Sequence, residues 1–457
     1  MADDLSQALD AAAEAGAETS VRDQLVAIAG GKACLWRGDD GEAYATVVIR
    51  GMRRAVPVSS RSFKDWLQAE YAAGRSRDGW IGVSRNAVSE AVDAVQARTR
   101  TAPRVPQYSV ATRRVWADGA LYIDLGDHTS RVVRVGVDGW RIETEPPVPI
   151  LRTPRTSALP VPEDGGDLLG LLSRYVPTAS DDDLVLVATW LLAALRAHGP
   201  FPVLALNGEA GSGKSTACRV LHRLTDPCGS LLAPPTQVRD LVAAAKNNAV
   251  LVFDNLSRVD LELSDAFCRL ATGAELGGRA LFTDSDLATF VAMRPMVLNG
   301  IPDLANRGDL ASRTLAVTLP RLRTRRDEAA FWADFERDAP ALFGAGLDVL
   351  ATALANLPAT PTPQHRMADF AKLACAAAPA LGMDAGAMCQ ILNANVDHQA
   401  ETLIEGDKVA AILRDIAETH GRWRGTATEL LSVLNERVDE GARRSRAWPS
   451  TAKVLSE

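Results

Sequence analysis

The residues best suited to chemistry form a short run, GEAGSGKST, from Gly208 to Thr216. An apolar segment, VLALN, precedes this run and a helix-like segment, TACRVLHRL, follows it. Glycines allow a backbone loop to wrap closely around a phosphate and to aim successive N–H groups at it, and the N-terminus of the following helix adds partial positive charge. The pattern G-x-x-x-x-G-K-S between a strand and a helix therefore predicts a phosphate-binding loop for a nucleotide.

Each position of the loop has an expected role. We expect Lys214 to reach the β- and γ-phosphates of ATP, and the hydroxyl of Ser215 to bind Mg²⁺. The other predicted nucleotide-binding positions are Gly208, Glu209, Ala210, Gly211, Ser212, Gly213 and Thr216. A plain glycine-rich turn would account for the glycines, but not for the lysine, the hydroxyl and the flanking elements together.

A candidate acid lies 40 residues after Lys214, where the apolar run from Val250 to Phe253 ends on Asp254. A parallel strand beside the strand of the phosphate loop would bring this carboxylate near Mg²⁺, as a catalytic and metal-binding acid. The simpler alternative is an aspartate that starts a turn. The next residue, Asn255, cannot accept a proton from water, but its amide can orient water or sense the γ-phosphate. The other acids that could serve as the base are Glu209, Asp260 and Asp265.

Further candidates follow in a fixed order between residues 264 and 320. A helical stretch leads to a glycine-containing turn, two β-like arms flank an acidic tip, and the apolar run PMVLN ends on an asparagine with two arginines shortly after it. In chain order these features are Thr272-Gly273, Arg279, the tip at 283–286, Asn299, Arg307 and Arg313.

This ordered set resembles the superfamily 3 helicases within the AAA+ ATPases. Within them it is most similar to the phage, plasmid and poxvirus primase-helicase group, including ATP-binding proteins of bacterial genomes and prophages. Residues 208–215 match motif A and residues 250–254 match motif B, while residues 272–279 match the motif that opens the pre-sensor hairpin. Asn299 matches the closing residue of motif C, or sensor 1. Arg313 matches the arginine finger, with Arg307 as the competing choice. The motifs cover about residues 200–320, and a looser likeness spans nearly the whole chain.

The resemblance implies an ATP- and Mg²⁺-binding motor that acts on single-stranded or forked DNA, helicase-like, in replication of a phage or mobile element. It also implies that Asn299 senses the γ-phosphate and that Arg313 completes the site of a neighbouring subunit, in a homo-oligomer such as a hexameric ring. The residues alone leave simpler alternatives open. Asn299 could cap a strand, and Arg313 could form a surface ion pair with Asp309.

Two departures from the family pattern favour a second hypothesis. Asn255 replaces the usual second acid of motif B. Asp284 and Asp286 occupy the hairpin tip, where translocating helicases commonly present Lys or His to DNA. That hypothesis is an ATP-gated initiator or loader that binds DNA, hydrolyses ATP slowly and does not unwind processively. A small-molecule kinase that shares only the phosphate loop is a third reading, but such kinases lack the set formed by Asn299 and Arg313.

The sequence pattern divides the chain into an α/β core with flanking regions. The alternation of helix-like and strand-like segments predicts an α/β core, with an α+β domain before it and a helical region after it. The family resemblance implies that the core is an AAA+ P-loop fold with a parallel sheet and helices on both faces, and that the helical region ends in a partial winged helix. The predicted segments are an α+β domain at 1–145, a Pro-rich linker at 146–166, the ATPase core at 167–325, a helical domain at 326–420 and a winged-helix-like segment at 421–457.

The two ends of the chain carry weaker signals. Thr426 and Glu429 predict a capping box at the start of the C-terminal segment. The basic residues Arg443, Arg444 and Arg446 could contact DNA phosphates there or form a solvated loop. In the N-terminal domain, Asp124 and Asp127 near His128 could be metal-binding acids of a primase. Ordinary turn chemistry explains them equally well, and a DNA- or partner-binding module is favoured for this domain.

Composition limits the class of protein. The net charge of −7 argues against non-specific coating of nucleic acid, although it allows a local basic path. Six scattered cysteines without a CxxC pair fit a reducing cytoplasm rather than a disulfide framework or zinc site. The longest apolar run, Leu184 to Leu195, is too short to span a bilayer, so no membrane partner is expected.

Overall fold

The computed structural model describes residues 20–74, 82–153, 155–257, 259–276, 292–300, 308–324, 326–438, 440–443 and 448–456. Within these ranges, twelve strands form three four-stranded sheets. Two of the sheets precede the predicted phosphate-binding loop, and the third contains the strand that leads into it.

The first sheet is covered on one face by three helices. Its strands are β1 (Cys34–Gly38), β2 (Ala43–Ile49), β3 (Met52–Pro57) and β4 (Gln107–Tyr108), in the order β3-β2-β1-β4. The helices are α1 (Val21–Lys32), α2 (Arg61–Ala73) and α3 (Arg85–Thr101). A serine side chain caps the N-terminus of each helix: Ser20, Ser60 and Ser84. Alanines and valines of β2 pack against the aromatic and aliphatic side chains of the helices in one apolar core.

The second sheet is an antiparallel meander. Its strands are β5 (Arg114–Ala117), β6 (Ala120–Asp124), β7 (Val132–Gly136) and β8 (Gly139–Glu143). One face buries Leu121, Ile123, Val133 and Val135 in the same core as the helices around the third sheet. The meander therefore shares its core with the region that follows it in the chain.

The third sheet is fully parallel, which confirms the predicted α/β class with a parallel sheet. Its strands are β9 (Val203–Asn207), β10 (Leu251–Leu256), β11 (Met296–Gly300) and β12 (Thr314–Thr318), in the order β10-β11-β9-β12. The flanking helices are α4 (Leu168–Ser173), α5 (Asp181–Leu195), α6 (Lys214–Thr225), α7 (Val238–Asn247) and α8 (Leu261–Thr272). Alternate strand residues face two separate cores, so the strands appear in the sequence as continuous apolar runs.

The position of β10 differs from the expectation. The strand that carries Asp254 does not pair with β9, because β11 lies between them. Sequence spacing cannot determine the order of parallel strands, since each crossover connection is long enough to reach either neighbour. The consequence is that Asn299, on β11, lies between Asp254 and the strand that leads into the phosphate loop.

A short helix, α9 (Gly308–Ala311), precedes β12, and the described chain after β12 is helical. Its elements are α10 (Glu328–Asn356), α11 (Ala368–Ala377), a 3₁₀ turn (Ala378–Leu381), α12 (Ala385–Gly406), α13 (Lys408–His420), α14 (Ala427–Glu436), α15 (Glu440–Arg443) and α16 (Ala452–Ser456). The predicted capping box of Thr426 and Glu429 is confirmed at the start of α14. Among the described residues, α10 alone is long and apolar enough to cross a membrane, but 67% of its apolar stretch is buried inside the protein. That burial is typical of a core helix.

The Pro-rich segment at 146–166 is extended and closely packed. The Leu151 N–H donates to the Ala111 carbonyl at 2.9 Å, and the Leu159 N–H donates to the Leu125 carbonyl at 2.8 Å. The division into domains at this segment stays a prediction. These contacts show that the segment packs along the meander and is not a free linker between two domains.

The outer edge of the parallel sheet is covered by side chains of α12. Asn395 Nδ2 donates to the Ala316 carbonyl at 2.6 Å, while Asn395 Oδ1 accepts from the Ala316 N–H at 3.1 Å. Gln399 Nε2 donates to the Thr314 carbonyl at 2.8 Å. An edge strand presents unpaired backbone groups that could pair with another chain. Here two buried amides take the place of a further strand, and they attach the helical region to β12.

Replacing Asn395 with Ala should destabilise the protein by roughly 1–3 kcal/mol, because the Ala316 backbone groups lose both partners in a largely buried setting. Asn393→Ala on the exposed side of the same helix is the matched control and should change stability little. Urea unfolding of both variants measures the difference. Equal stabilities would show that the edge contacts contribute nothing.

Candidate functional site

The glycine-rich loop follows directly from β9 and ends at the start of α6. Gly208, Gly211 and Gly213 have φ angles of 151°, 84° and 84°, a region that side chains with a Cβ rarely adopt. At Gly208 a Cβ would also lie 2.6 Å from the Leu319 carbonyl oxygen and 2.7 Å from Ser212 Oγ. The loop therefore requires glycine at this position for both its backbone conformation and its close packing.

Positive groups lie at the opening of the loop. Gly213 is the N-cap of α6 and provides no side chain to cap the first N–H groups of the helix. The Lys214 ammonium lies over the loop and donates to the carbonyls of Gly208 at 2.5 Å and Glu209 at 2.9 Å. A helix N-terminus with a lysine beside it is suited to binding an anion.

The structure brings Ser215, Asp254 and Asn299 together at the carboxyl edge of the sheet. Ser215 Oγ donates to Asp254 Oδ1 at 2.9 Å, and Asn299 Nδ2 donates to the same oxygen at 2.6 Å. Asn299 Oδ1 accepts from the backbone N–H of Asn255 at 2.8 Å. Because Asn299 is 2% exposed and both ends of its amide are bonded, it holds the carboxylate and the end of β10 in a fixed relation.

Asn255 has an unusual backbone. Its φ is 61°, in the left-handed region, and it lies where the pairing of β10 with β11 shifts register between Phe253 and Leu256. Asparagine tolerates this conformation better than most side chains with a Cβ. Its side chain is exposed, so the residue is held by its backbone N–H while its amide stays accessible.

A residue that the sequence reasoning missed is Cys218. The second hydrogen of Asn299 Nδ2 points to Cys218 Sγ at 3.2 Å, and the thiol is fully buried. Burial raises the pKa of this thiol to about 12, so it stays protonated. The signal was present in the helical spacing, because Cys218 follows Ser215 by three residues and so lies on the same face of α6.

Arg313 lies at the amino-terminal end of the parallel strands, whereas the predicted phosphate-binding loop lies at their carboxyl end. Its carbonyl accepts from the N–H of Val203, the first residue of β9, whereas the loop follows the last residue of that strand. The five residues of β9 separate the two ends by roughly 16 Å at about 3.3 Å per residue. The guanidinium pairs with Asp309, as the simpler sequence alternative anticipated, and Arg366 contacts the same carboxylate.

Several predicted residues fall outside the described ranges: Arg279, the hairpin tip with Asp284 and Asp286, Arg307, Arg444 and Arg446. Arg443 closes the short helix α15 and is exposed. Of the alternative bases, Asp260 accepts from the N–H of Leu263 as the N-cap of α8, and the side chains of Glu209 and Asp265 are exposed. Within the described residues, no hydrogen bond joins any of these three carboxylates to Asp254.

The candidate metal-binding acids of the N-terminal region are both paired with arginines. Asp124 accepts two hydrogen bonds from Arg152, at 2.7 and 2.8 Å, and is 2% exposed. Asp127 accepts from Arg131 at 2.7 Å, and this arginine together with Thr129 lowers the pKa of the carboxyl, although its partial burial acts in the opposite direction. These contacts support the turn interpretation.

A cleft of about 850 Å³ opens beside Asp254 and runs along α6. Arg219, His222 and Trp332 line it, together with residues 227–233. Burial lowers the pKa of His222 to about 4, so this ring is neutral at physiological pH. Within the described ranges, no group of three His, Cys, Asp or Glu side chains forms a metal site.

Part of the chain matches a known family of proteins. Residues 168–398, just over half of the chain, match the model of the actinomycete integrative conjugative element replication protein. The chain belongs to this replication protein family. Residues 409–457, which include the segment predicted as the start of a winged helix, also match the C-terminal domain of the same family's RepA proteins, while the fold of that segment stays a prediction.

Solved structures resemble this replication protein only weakly. A structure described as "SCCmec type IV Cch - active helicase" has 14% identity and a TM-score of 0.46, over 86% of this chain and 79% of that one. The A form of the apo NrS-1 C-terminal region has 12% identity and a TM-score of 0.40, over 88% and 86% of the two chains. Among curated protein sequences there is no significant match. The assignment rests on the family match alone.

The contact between Asn299 and Asp254 can be tested by an isosteric change. Asn299→Asp replaces the donor with a second carboxylate oxygen about 2.6 Å from the first. Repulsion should raise a carboxyl pKa of the folded pair above the unfolded value near 3.9. The variant should be less stable than the wild type at neutral pH. The gap should shrink as pH falls through the raised pKa and vanish below about 4.

Melting temperatures of Asn299→Asp, Asn299→Ala and wild type between pH 8 and pH 4 provide the measurement. The alanine variant has no added charge, so its deficit should change with pH much less than that of the aspartate variant. An equal pH dependence of the two deficits would mean that the two side chains do not meet in the folded protein.

Proposed function

We propose that this replication protein is an ATP-binding and ATP-hydrolysing motor of the superfamily 3-like AAA+ class that acts on DNA in the cytoplasm. The observation that carries the proposal is the meeting of Ser215, Asp254 and Asn299 beside a loop that ends in Lys214. A helicase-like role in replication of a mobile element fits the family to which the chain belongs.

The residues of the site fit Mg²⁺ and ATP. The hydroxyl of Ser215 and the carboxylate of Asp254 are hard oxygen ligands, and Mg²⁺ typically takes one or two protein ligands together with nucleotide phosphates. The loop N–H groups and Lys214 would hold the phosphates. When bound, Mg²⁺ neutralises charge that develops on the phosphates. The protein contributes orientation, because Asn299 fixes the carboxylate and so the position available to the ion.

Arg313 supports an oligomeric arrangement under this proposal. It lies too far from its own loop to reach a nucleotide there, whereas an arginine at a subunit edge can complete the site of a neighbour. A ring of identical subunits, hexameric by family resemblance, would bring Arg313 of one copy to the loop of the next. Arg366 and Asp309 would then orient the guanidinium.

A second candidate function is an ATP-gated DNA-binding initiator or loader with slow hydrolysis. Asn255 favours it, because this residue stands at the end of β10 with an exposed amide that cannot remove a proton from water. The left-handed backbone gives asparagine a conformational reason to be there as well. The two candidates share the nucleotide site and differ in the rate of turnover and in strand separation.

The proposed motor predicts DNA-stimulated ATP hydrolysis that Lys214→Ala abolishes, by a factor of at least about 100, because the phosphates lose their principal cation. Phosphate release with and without single-stranded DNA measures this effect. A forked substrate tests strand separation in parallel. Arg239→Ala, on the exposed face of α7 and outside the cleft beside Asp254, is the control and should retain most of the activity. If wild type and Lys214→Ala both show no turnover, the motor proposal is wrong.

Asn255 separates the two candidate functions. We expect Asn255→Asp to raise ATP turnover severalfold, since it adds a carboxylate at a position that an Asp side chain can occupy in the left-handed conformation. Asn255→Gly keeps this backbone and removes the side chain, so it controls for strain. If ATP turnover falls in both variants, the amide itself has a function and another group activates the water. Asn255→Glu extends the comparison to the acid usual in related ATPases.

A further inference from the structure

A basic β-hairpin in the N-terminal region carries a charge pattern that the nucleotide site does not explain. Residues 43–64 contain four arginines and one lysine and no acidic residue, in a chain with a net charge of −7. Three of these arginines, Arg50, Arg53 and Arg54, lie at the tip of the hairpin formed by β2 and β3. Positive charge is therefore concentrated at one place on an acidic protein.

The tip of the hairpin is strained. Arg50 and Gly51 have φ angles of 52° and 77°, between the paired residues Ile49 and Met52. A two-residue turn of this type favours Asn, Asp or Gly at its first position, because other side chains are unfavourable in the left-handed region. Arg50 is exposed, so burial does not account for an arginine there. Backbone strain at an exposed charged residue points to a role in binding.

The neighbours of Arg50 leave the charge accessible. Arg53 pairs with Glu145 at 3.2 Å, but both side chains are more than half exposed, and such pairs are weak and easily exchanged. Arg54 is partly buried, and its buried Nε has no hydrogen-bond partner among the described residues. Val48, the cross-strand partner of Arg53, is 52% exposed and adds an apolar surface beside the guanidinium groups.

We propose that the β2–β3 hairpin binds the phosphate backbone of DNA, with Arg50 and Arg53 as the main phosphate contacts. A guanidinium donates two parallel hydrogen bonds to a phosphate, and a two-stranded ribbon is narrow enough to enter the major groove of a duplex. Val48 packs against the sugars. The inference rests on the proposed function, in which the protein acts on DNA, and it adds a contact outside the nucleotide site and outside residues 168–398.

The test measures binding of the full chain to fluorescently labelled single-stranded and duplex DNA by anisotropy, without nucleotide, at several salt concentrations. The double variant Arg50→Ala and Arg53→Ala should weaken binding at least tenfold in low salt. The slope of log K against log salt should fall by about 2, or about one for each lost phosphate contact. Removal of Arg85 and Arg98 from the exposed face of α3 gives the same change in charge and should leave binding as in the wild type.

Arg50→Asn separates binding from folding. Asparagine suits the turn better than arginine does, so this variant should melt no lower than the wild type while it binds DNA more weakly. ATP hydrolysis without DNA should be unchanged in all hairpin variants. If the hairpin variants bind DNA as tightly as the wild type does, the hairpin contact is wrong and the proposed function stays intact. A wild type that binds neither form of DNA, in repeat titrations with a non-hydrolysable ATP analogue as well as without nucleotide, would overturn both.

Discussion

The side-chain amide of Asn299 connects the elements on which the proposed nucleotide site depends. It donates to the Asp254 carboxylate and to the Cys218 thiol, and it accepts from the Asn255 backbone, so β11, β10 and α6 meet at one buried group. A buried amide with all of these partners has one satisfactory orientation. The position of the acid relative to the phosphate loop is therefore set by packing inside the sheet and does not depend on a flexible surface loop.

The rest of the fold holds this sheet from both sides. On one face, α5, α6 and α10 pack in the same core as the antiparallel meander, so the meander contributes to the stability of the proposed nucleotide site. At the open edge, Asn395 and Gln399 bind the backbone of β12. That strand begins next to Arg313 and ends where Leu319 packs against the phosphate loop, so the helical region is attached to both ends of the proposed catalytic apparatus.

Asn255 shows how a residue can have a structural and a chemical explanation at once. The strand bends where its pairing with β11 shifts, and the left-handed backbone there favours asparagine over glutamate. The side-chain amide of Asn255 is exposed. The departure from the usual acid at this position therefore has a structural reason in the local backbone, alongside the slow hydrolysis proposed above.

The sequence by itself determined the local features of the protein. The strand–loop–helix, the alternation of apolar segments, the capping box at Thr426 and Glu429 and the parallel α/β class all depend on neighbouring residues and their periodicity. Only the tertiary structure decided that β11 lies between β9 and β10, that Cys218 supports Asn299, and that Asp124 pairs with Arg152. These features join residues far apart in the chain. Their pairing depends on strand order and on how buried charges and amides find partners, and spacing along a sequence does not contain that information.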